Sequence, residues 1–270
     1  ERSAKKERQM TIQQKFESLR SRGEKALVCF FTAGDQPLED LPQIVALLES
    51  SGADIIEIGI PFSDPFGEGP TIQNSSQRAL ENGATLSKIL GAVGQCKVNI
   101  PLVTMGYYNP VLRFGLDNYA TQSALNGITG TIISDLVPDE AADWDQACAN
   151  HHLETIYLVA PTSTEQRIDQ VTTQTTGFVY VVSRTGVTGA ESTVPIEISS
   201  LVRRVKSRTK KPVCVGFGIS TPTHVKLVCQ EADGAVVGSA IVTLLHKHWK
   251  VPAERPLIAA YISSLKAATS

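Results

Sequence analysis

Long apolar runs are missing from this chain of 270 residues. None approaches the roughly 18–20 residues that a helix needs to cross a bilayer. An excess of charge of one sign is missing too. The 25 Lys and Arg against 27 Asp and Glu leave a net charge of -2, which gives neither nucleic acid nor an anionic membrane an electrostatic reason to bind. No CxxC pair occurs, and the cysteines (Cys29, Cys96, Cys148, Cys214, Cys229) are scattered and odd in number. Such residues behave as small buried hydrophobes in a reducing compartment. No linker or low-complexity stretch divides the chain. The opening "ERSAKKERQ" is charged and unlike a signal peptide. Residues 1–10 are expected to be a flexible extension or a remnant of a tag or transit peptide. The expected compartment is the cytoplasm, with the plastid stroma as alternative.

Three local signals have bland explanations. "RRVKSRTKK" (203–211) reads as a solvated helix end whose cations suit the negative end of the dipole. The histidines of "HKHW" (246–249) stand at i and i+2, so they do not share a helix face, and no acid or cysteine is near in sequence for a metal. "NSS" at Asn74 matches a glycosylation pattern that carries no meaning in a cytosolic protein.

What the chain does have is a beat. Eight short apolar runs recur: "ALVCFFT" (from Ala26), "ADIIEIGI" (Ala53), "PLVTMG" (Pro101), "GTIIS" (Gly130), "ETIYLVA" (Glu154), "GFVYVVS" (Gly177), "PVCVGFG" (Pro212) and "GAVVGSA" (Gly234). They are continuous rather than alternating, as in strands of a parallel sheet buried on both faces. Helical spacing fills the gaps, as in "LEDLPQIVALLESSG", "DEAADWDQACANHH" and "PIEISSLVRRVKSR". The pattern predicts an α/β fold, a (β/α)8 TIM barrel forming a single domain over 1–270. A doubly wound open sheet is the runner-up, but its GxGxxG after the first strand is absent.

In a barrel the chemistry sits where strands end. Alternation puts Ile55, Glu57 and Gly59 on one face of the second strand. If that face is the inner one, Glu57 points into the barrel mouth, and burial raises its pKa toward a value useful for proton transfer. The alternative is an ion pair with a lysine or arginine. The loop that follows, "PFSDPFGEGP" (61–70), adds Asp64 and Glu68. After the sixth run, "SRTGVTGAES" (183–192) is polar and glycine-rich, as a mobile lid would be. "GFGIS" (216–220) and "GSA" (238–240) follow runs seven and eight, where this fold holds phosphate on backbone amides and a helix N-terminus.

With "FTAGD" at Phe31, "IEIGIPFSDP" at Ile56, "GPTIQ" at Gly69, "YYNP" at Tyr107, "SRTGVTG" at Ser183, "GFGIS" at Gly216 and "GSAIV" at Gly238 in this order, the chain resembles the tryptophan synthase α-subunit family. The resemblance spans about residues 26 to 245. It implies retro-aldol cleavage of indole-3-glycerol phosphate to indole and glyceraldehyde 3-phosphate, a carbon–carbon lyase reaction with no metal or cofactor in this subunit. It implies a partner beta subunit that holds pyridoxal phosphate and receives the indole, in an alpha2beta2 heterotetramer, docked on the loops around 61–70 and 107–113. In residues, the resemblance maps the acid–base onto Glu57 and the second catalytic acid onto Glu68. Phosphate falls to Gly189, Gly218, Gly238 and Ser239, and the indole pocket to Phe31, Tyr107 and Tyr180. Asp64, Asp135, Arg184 and Thr188 match positions that couple loop or lid closure to catalysis.

One departure stands out. The family reads "FSDPLADGP", with an aspartate where this chain has Glu68. The carboxylate is kept and one methylene added. Three outcomes follow: a working lyase, a slow lyase that needs the beta subunit to order its loop, or a weakened or inactive subunit that serves as an allosteric or structural partner. Another phosphate-binding barrel enzyme of unrelated chemistry is the bland alternative.

Overall fold

The computed structural model describes residues 10–182, 196–216 and 218–270. Its strands are β1 Ala26–Thr32, β2 Ile55–Gly59, β3 Leu102–Gly106, β4 Gly130–Ile133, β5 Glu154–Ile156, β6 Leu158–Val159, β7 Val179–Val182, β8 Val213–Gly216 and β9 Gly234–Val237. All pair in parallel, in the order β5-β4-β3-β2-β1-β9-β8-β7-β6. The edges β5 and β6 are consecutive pieces of one run, parted at Tyr157. Thr176 and Gly177 N–H donate to Thr155 O (2.9 and 3.1 Å), and Tyr180 N–H donates to Tyr157 O (3.0 Å). These bonds carry the ladder across the gap, and the sheet curls into a barrel. The expected fifth strand is therefore two, its first piece pairing with β4 and its second with β7, and the Tyr157 hydroxyl between them donates to Asp145 Oδ1 (2.5 Å).

Inward and outward residues alternate along each strand, as the pleat of a closed sheet requires. Val28, Phe30, Ile55, Met105, Tyr180 and Val236 belong to the interior cluster. Their neighbours Cys29, Phe31, Ile56, Ile58, Val181 and Val237 pack under the surrounding helices. Helices such as Leu41–Ser50, Ala142–Asn150 and Ile196–Lys206 lie where the spacing predicts them. Among the described residues no helix is long and apolar enough to cross a membrane.

The helix Ile12–Ser21 closes the bottom of the barrel. Its buried Ile12, Phe16 and Leu19 recur at helical spacing and join the interior cluster. Glu154 Oε2 accepts from Ile12 N–H (2.8 Å). Gly130 leaves the room, since a Cβ there would stand 2.6 Å from Ile12 Cδ1. Carboxylates pin the strand starts beside it. Asp54 accepts from Leu27 N–H and from Lys266 Nζ (2.9 Å each). Asp233 accepts from Val213 N–H (3.0 Å) and Lys206 Nζ (3.1 Å). The basic stretch at 203–211 is largely used in such pairs: Arg203 with Glu231, Arg204 and Arg208 with Glu165.

Replacing Phe16 by alanine removes the ring that meets Phe178 edge-on at 6.1 Å and empties the floor of the barrel. The expected loss is about 3 kcal/mol of stability, read as a lowered urea midpoint with an unchanged slope.

Candidate active site

At the opposite end of the barrel a cavity of about 530 Å³ opens among the strand ends. Its apolar wall comes from Phe30, Ile72, Met105, Tyr180, Ile219 and Val236. Its polar groups are the carboxyls of Glu57 and Glu68, Thr71 and Ser239. None of the described residues lining it is a lysine, arginine or histidine. Nor do the described residues group three His, Cys, Asp or Glu side chains as a metal site would need.

Glu57 lies on β2 opposite Phe30 and Val103, all on the inner face. It is only 1% exposed. Neither carboxyl oxygen has a hydrogen-bond partner among the described residues, so the ion-pair alternative finds no cation. A bare carboxylate in such a place is costly, and the group responds by holding its proton. Burial, and after it the charge of Glu68, push the Glu57 carboxyl up to about 8.

Glu68 closes the loop that follows β2 and precedes the helix Pro70–Glu81. That helix is clamped to the loop after β1. Arg78 forks onto Asp35 (2.6 and 3.0 Å), Asn82 Nδ2 donates to Gly34 O (2.9 Å), and the hydroxyls of Thr32 and Ser75 pair at 2.6 Å. The clamp aims the helix N-terminus, with Gly69 and Thr71, at the cavity. Gln73 Nε2 donates back to Glu68 O (2.8 Å). Burial pushes the Glu68 carboxyl up to about 7. The positive end of the helix dipole favours its ionised form.

The residues expected at the site separate into three groups. Glu57, Glu68, Tyr180, Gly218, Gly238 and Ser239 come together around the cavity. Burial holds the Tyr180 phenol protonated, and Gly216 beside it is required, since a Cβ there would overlap the hydroxyl. Gly218 has φ +74, a left-handed conformation suited to glycine. Ser239 opens the helix Ser239–His248, which Gly238 caps.

Phe31, Tyr107, Asp64 and Asp135 lie elsewhere. Phe31 is corrected to Phe30: the ring of Phe31 packs in the outer layer, and its neighbour faces the cavity. Tyr107 holds the 61–68 loop rather than walling the main cavity. It stacks on Phe62 (5.0 Å, 26°), meets Phe66 edge-on (5.5 Å), and accepts from Gly67 N–H at its hydroxyl (3.2 Å). Asp135 accepts from Tyr108 N–H (2.7 Å), tying the loop after β4 to that after β3. Asp64 is exposed and accepts from Ser63 Oγ (2.8 Å). Arg184, Thr188 and Gly189, with the expected lid, lie outside the described residues, as does most of the 1–10 extension.

Sequence reasoning missed Phe30, Ile72, Met105 and Ile219 as cavity wall. Phe30 sits in a strand buried throughout, so no local alternation separates it from Phe31. The "GPTIQ" motif contained Ile72, but only the clamp on its helix directs that side chain inward.

A family profile described as tryptophan synthase alpha chain matches residues 16–268. The tryptophan synthase alpha chain of Geobacter sulfurreducens is 48% identical over 256 residues, covering 94% of this chain and 96% of the relative. That of Chloroflexus aggregans is 45% identical over 262 residues, covering 96% and 97%. The crystal structure of tryptophan synthase subunit alpha from Legionella pneumophila str. Paris superposes with a TM-score of 0.88 at 33% identity, covering 96% of this chain and 98% of that one.

The raised Glu57 carboxyl makes a stability prediction. Between the ordinary glutamate value and about 8, the folded state holds a proton that the unfolded state has lost. Stability contributed by this group is therefore full at low pH and falls as pH rises, by at most about 1.4 kcal/mol per pH unit. Glu57→Gln removes the titration. Urea midpoints at pH 5, 7 and 9 are expected to show the variant gaining on the parent as pH rises.

Proposed function

The chain belongs to the tryptophan synthase alpha chain family, a family of carbon–carbon lyases, and on that premise we propose that this cavity cleaves indole-3-glycerol phosphate to indole and glyceraldehyde 3-phosphate. The observation that carries the proposal is the pair of carboxyls, Glu57 and Glu68, held at different proton affinities against one apolar cavity. Between pH about 7 and about 8 the pair retains about one proton, and the more deeply buried Glu57 keeps it while Glu68 beside the helix end gives its own up first.

That division fits the bond to be broken. Glu57 gives its proton to carbon three of the indole ring, while Glu68 takes the proton from the ring nitrogen. The hydroxyl next to the scissile bond then returns a proton to Glu57. Its oxygen electrons form the aldehyde carbonyl, and the electrons of the broken carbon–carbon bond restore the aromatic ring. The ring nitrogen recovers its proton from Glu68, and no proton is gained or lost overall. The indole ring would lie among Phe30, Ile72, Met105 and Tyr180. The phosphate would meet backbone at Gly218 and Gly238 and the N-terminus of the helix that starts at Ser239. A purely structural subunit is the weaker reading, since it would have no use for a partnerless buried carboxyl that costs stability.

The same end of the barrel presents apolar side chains to solvent from the connections after three successive strands: Phe66 (79% exposed), Leu112 on the helix Tyr108–Phe114 (50%) and Val137 (39%). They support docking of a beta subunit that holds pyridoxal phosphate and receives the indole, as an alpha2beta2 assembly. Val137 extends the surface expected around 61–70 and 107–113.

Glu57→Gln is expected to lower indole release from indole-3-glycerol phosphate by at least about 100-fold, and retained turnover would remove Glu57 as the acid–base. Glu68→Asp is expected to hold or raise the rate, because the carboxylate and the helix end beside it remain. Leu112→Asp is expected to abolish stimulation by an added beta subunit while unassisted indole release persists, both measured in the same assay.

A further inference from the structure

A second, smaller chamber of about 20 Å³ lies behind the cavity, between the ends of β1–β3 and the 61–68 loop. Glu68 lines both spaces. The chamber is otherwise walled by apolar groups, by Thr32 and Ser76, by Tyr107, and by Ser134 at the end of β4. The hydroxyl of Ser134 is shut off from solvent and has no hydrogen-bond partner among the described residues. A buried hydroxyl left this way costs free energy, and native proteins rarely leave one without a use. Thr32 pairs with Ser75 (2.6 Å), and the Tyr107 hydroxyl accepts from Gly67 N–H (3.2 Å) with its own proton uncommitted. The Glu68 carboxyl faces the chamber with no hydrogen bond from the described residues, and the Ser76 hydroxyl is a further donor on its wall. An unused donor and an unused acceptor thus line one small space, large enough for a single water.

We infer that Ser134 is a positioning residue for Glu68: its hydroxyl donates to the Glu68 carboxylate, directly or through one water, and holds the acid at the boundary between chamber and cavity. The inference rests on the proposed role of Glu68 as the second acid. A glutamate has one more rotatable bond than an aspartate, and preorganisation of a catalytic carboxylate requires that freedom to be removed. Tyr107 packs the loop backbone and its hydroxyl accepts from Gly67 N–H, so its own proton is a second donor on the chamber that Ser134→Ala leaves in place. The interaction also bears on charge. The titratable groups facing Glu68 are Glu57 on β2, Tyr180 on β7 and Tyr107 after β3. Burial disfavours its ionised form, as does Glu57 when charged, and no lysine, arginine or histidine lines either space among the described residues. The Ser134 hydroxyl, the free phenol proton of Tyr107 and the end of the helix Pro70–Glu81 are the groups that favour it. Removing the hydroxyl therefore raises the pH at which Glu68 ionises.

The test compares the full-length chain with Ser134→Ala, Ser134→Thr and Glu68→Gln, assaying indole release across pH. Ser134→Ala is expected to lower kcat about tenfold with KM within about twofold, the loss of one hydrogen bond to a charged group. Its acid limb is expected to move to higher pH, and Ser134→Thr, which keeps the hydroxyl, to restore both. A purely structural role would not move the limb. Unchanged kcat and an unchanged limb in Ser134→Ala, with Glu68→Gln inactive, would overturn the inference and leave the role of Glu68 standing. Turnover retained in Glu68→Gln would overturn that role and the inference with it. Should Ser134→Ala not fold, Ser134→Cys decides, because its weak donor must give intermediate kcat and an intermediate limb, and parental values would overturn the inference.

Discussion

Closure of the sheet governs the rest of this molecule. The two edges are consecutive pieces of one chain segment, and the ladder crosses between them at Thr155 and Tyr157. Once closed, each strand must send alternate side chains to a filled interior and to a helix-covered exterior. No position between the two is available. That constraint places Glu57 inside, among Phe30, Val103 and Tyr180, with no solvent and no cation to meet it. The helix Ile12–Ser21 packs into the other end with Ile12, Phe16 and Leu19 buried.

The second acid obeys a different constraint. Glu68 is not on a strand, and nothing in the sheet determines where it points. Its position is inherited from the helix Pro70–Glu81, which Arg78, Asn82 and Ser75 bind to the loop after β1. The loop between is held from outside by Tyr107 and its two phenylalanine neighbours. A rigid acid on the barrel wall thus faces an acid mounted on a clamped loop. The wall removes solvent from the first almost completely, whereas the second keeps a helix end beside it. The different environments separate their proton affinities, and two like carboxyls can divide acid and base work. The extra methylene of Glu68 does not withdraw the carboxyl from the cavity, and the chamber beneath it offers a donor at Ser134.

Much of this could be read in the chain. Eight apolar runs announced the barrel, and the period of two within "IIEIG" put Glu57 on one face with Ile55 and Gly59. Glycines after the last two strands marked turns that the structure places at the cavity. The break at Tyr157 was hidden, because an uninterrupted apolar run carries no sign of where its ladder is interrupted. Phe30 and Phe31 could not be told apart for a related reason: every residue of β1 is buried, so hydrophobicity does not report which face a side chain takes.

The sequence by itself determined the local quantities: which segments form strands and helices, which carboxyls stand near strand ends, and the parity of Glu57 relative to its own neighbours. These depend on spacing along the chain. Only the tertiary structure decided that Phe30 faces the cavity, that Tyr107 braces a loop instead of lining the site, and that the hydroxyl of Ser134 shares a chamber with Glu68. Each depends on cross-strand register or on a clamp between segments tens of residues apart. Such contacts are set by the free energy of the closed whole, which no single stretch of sequence contains.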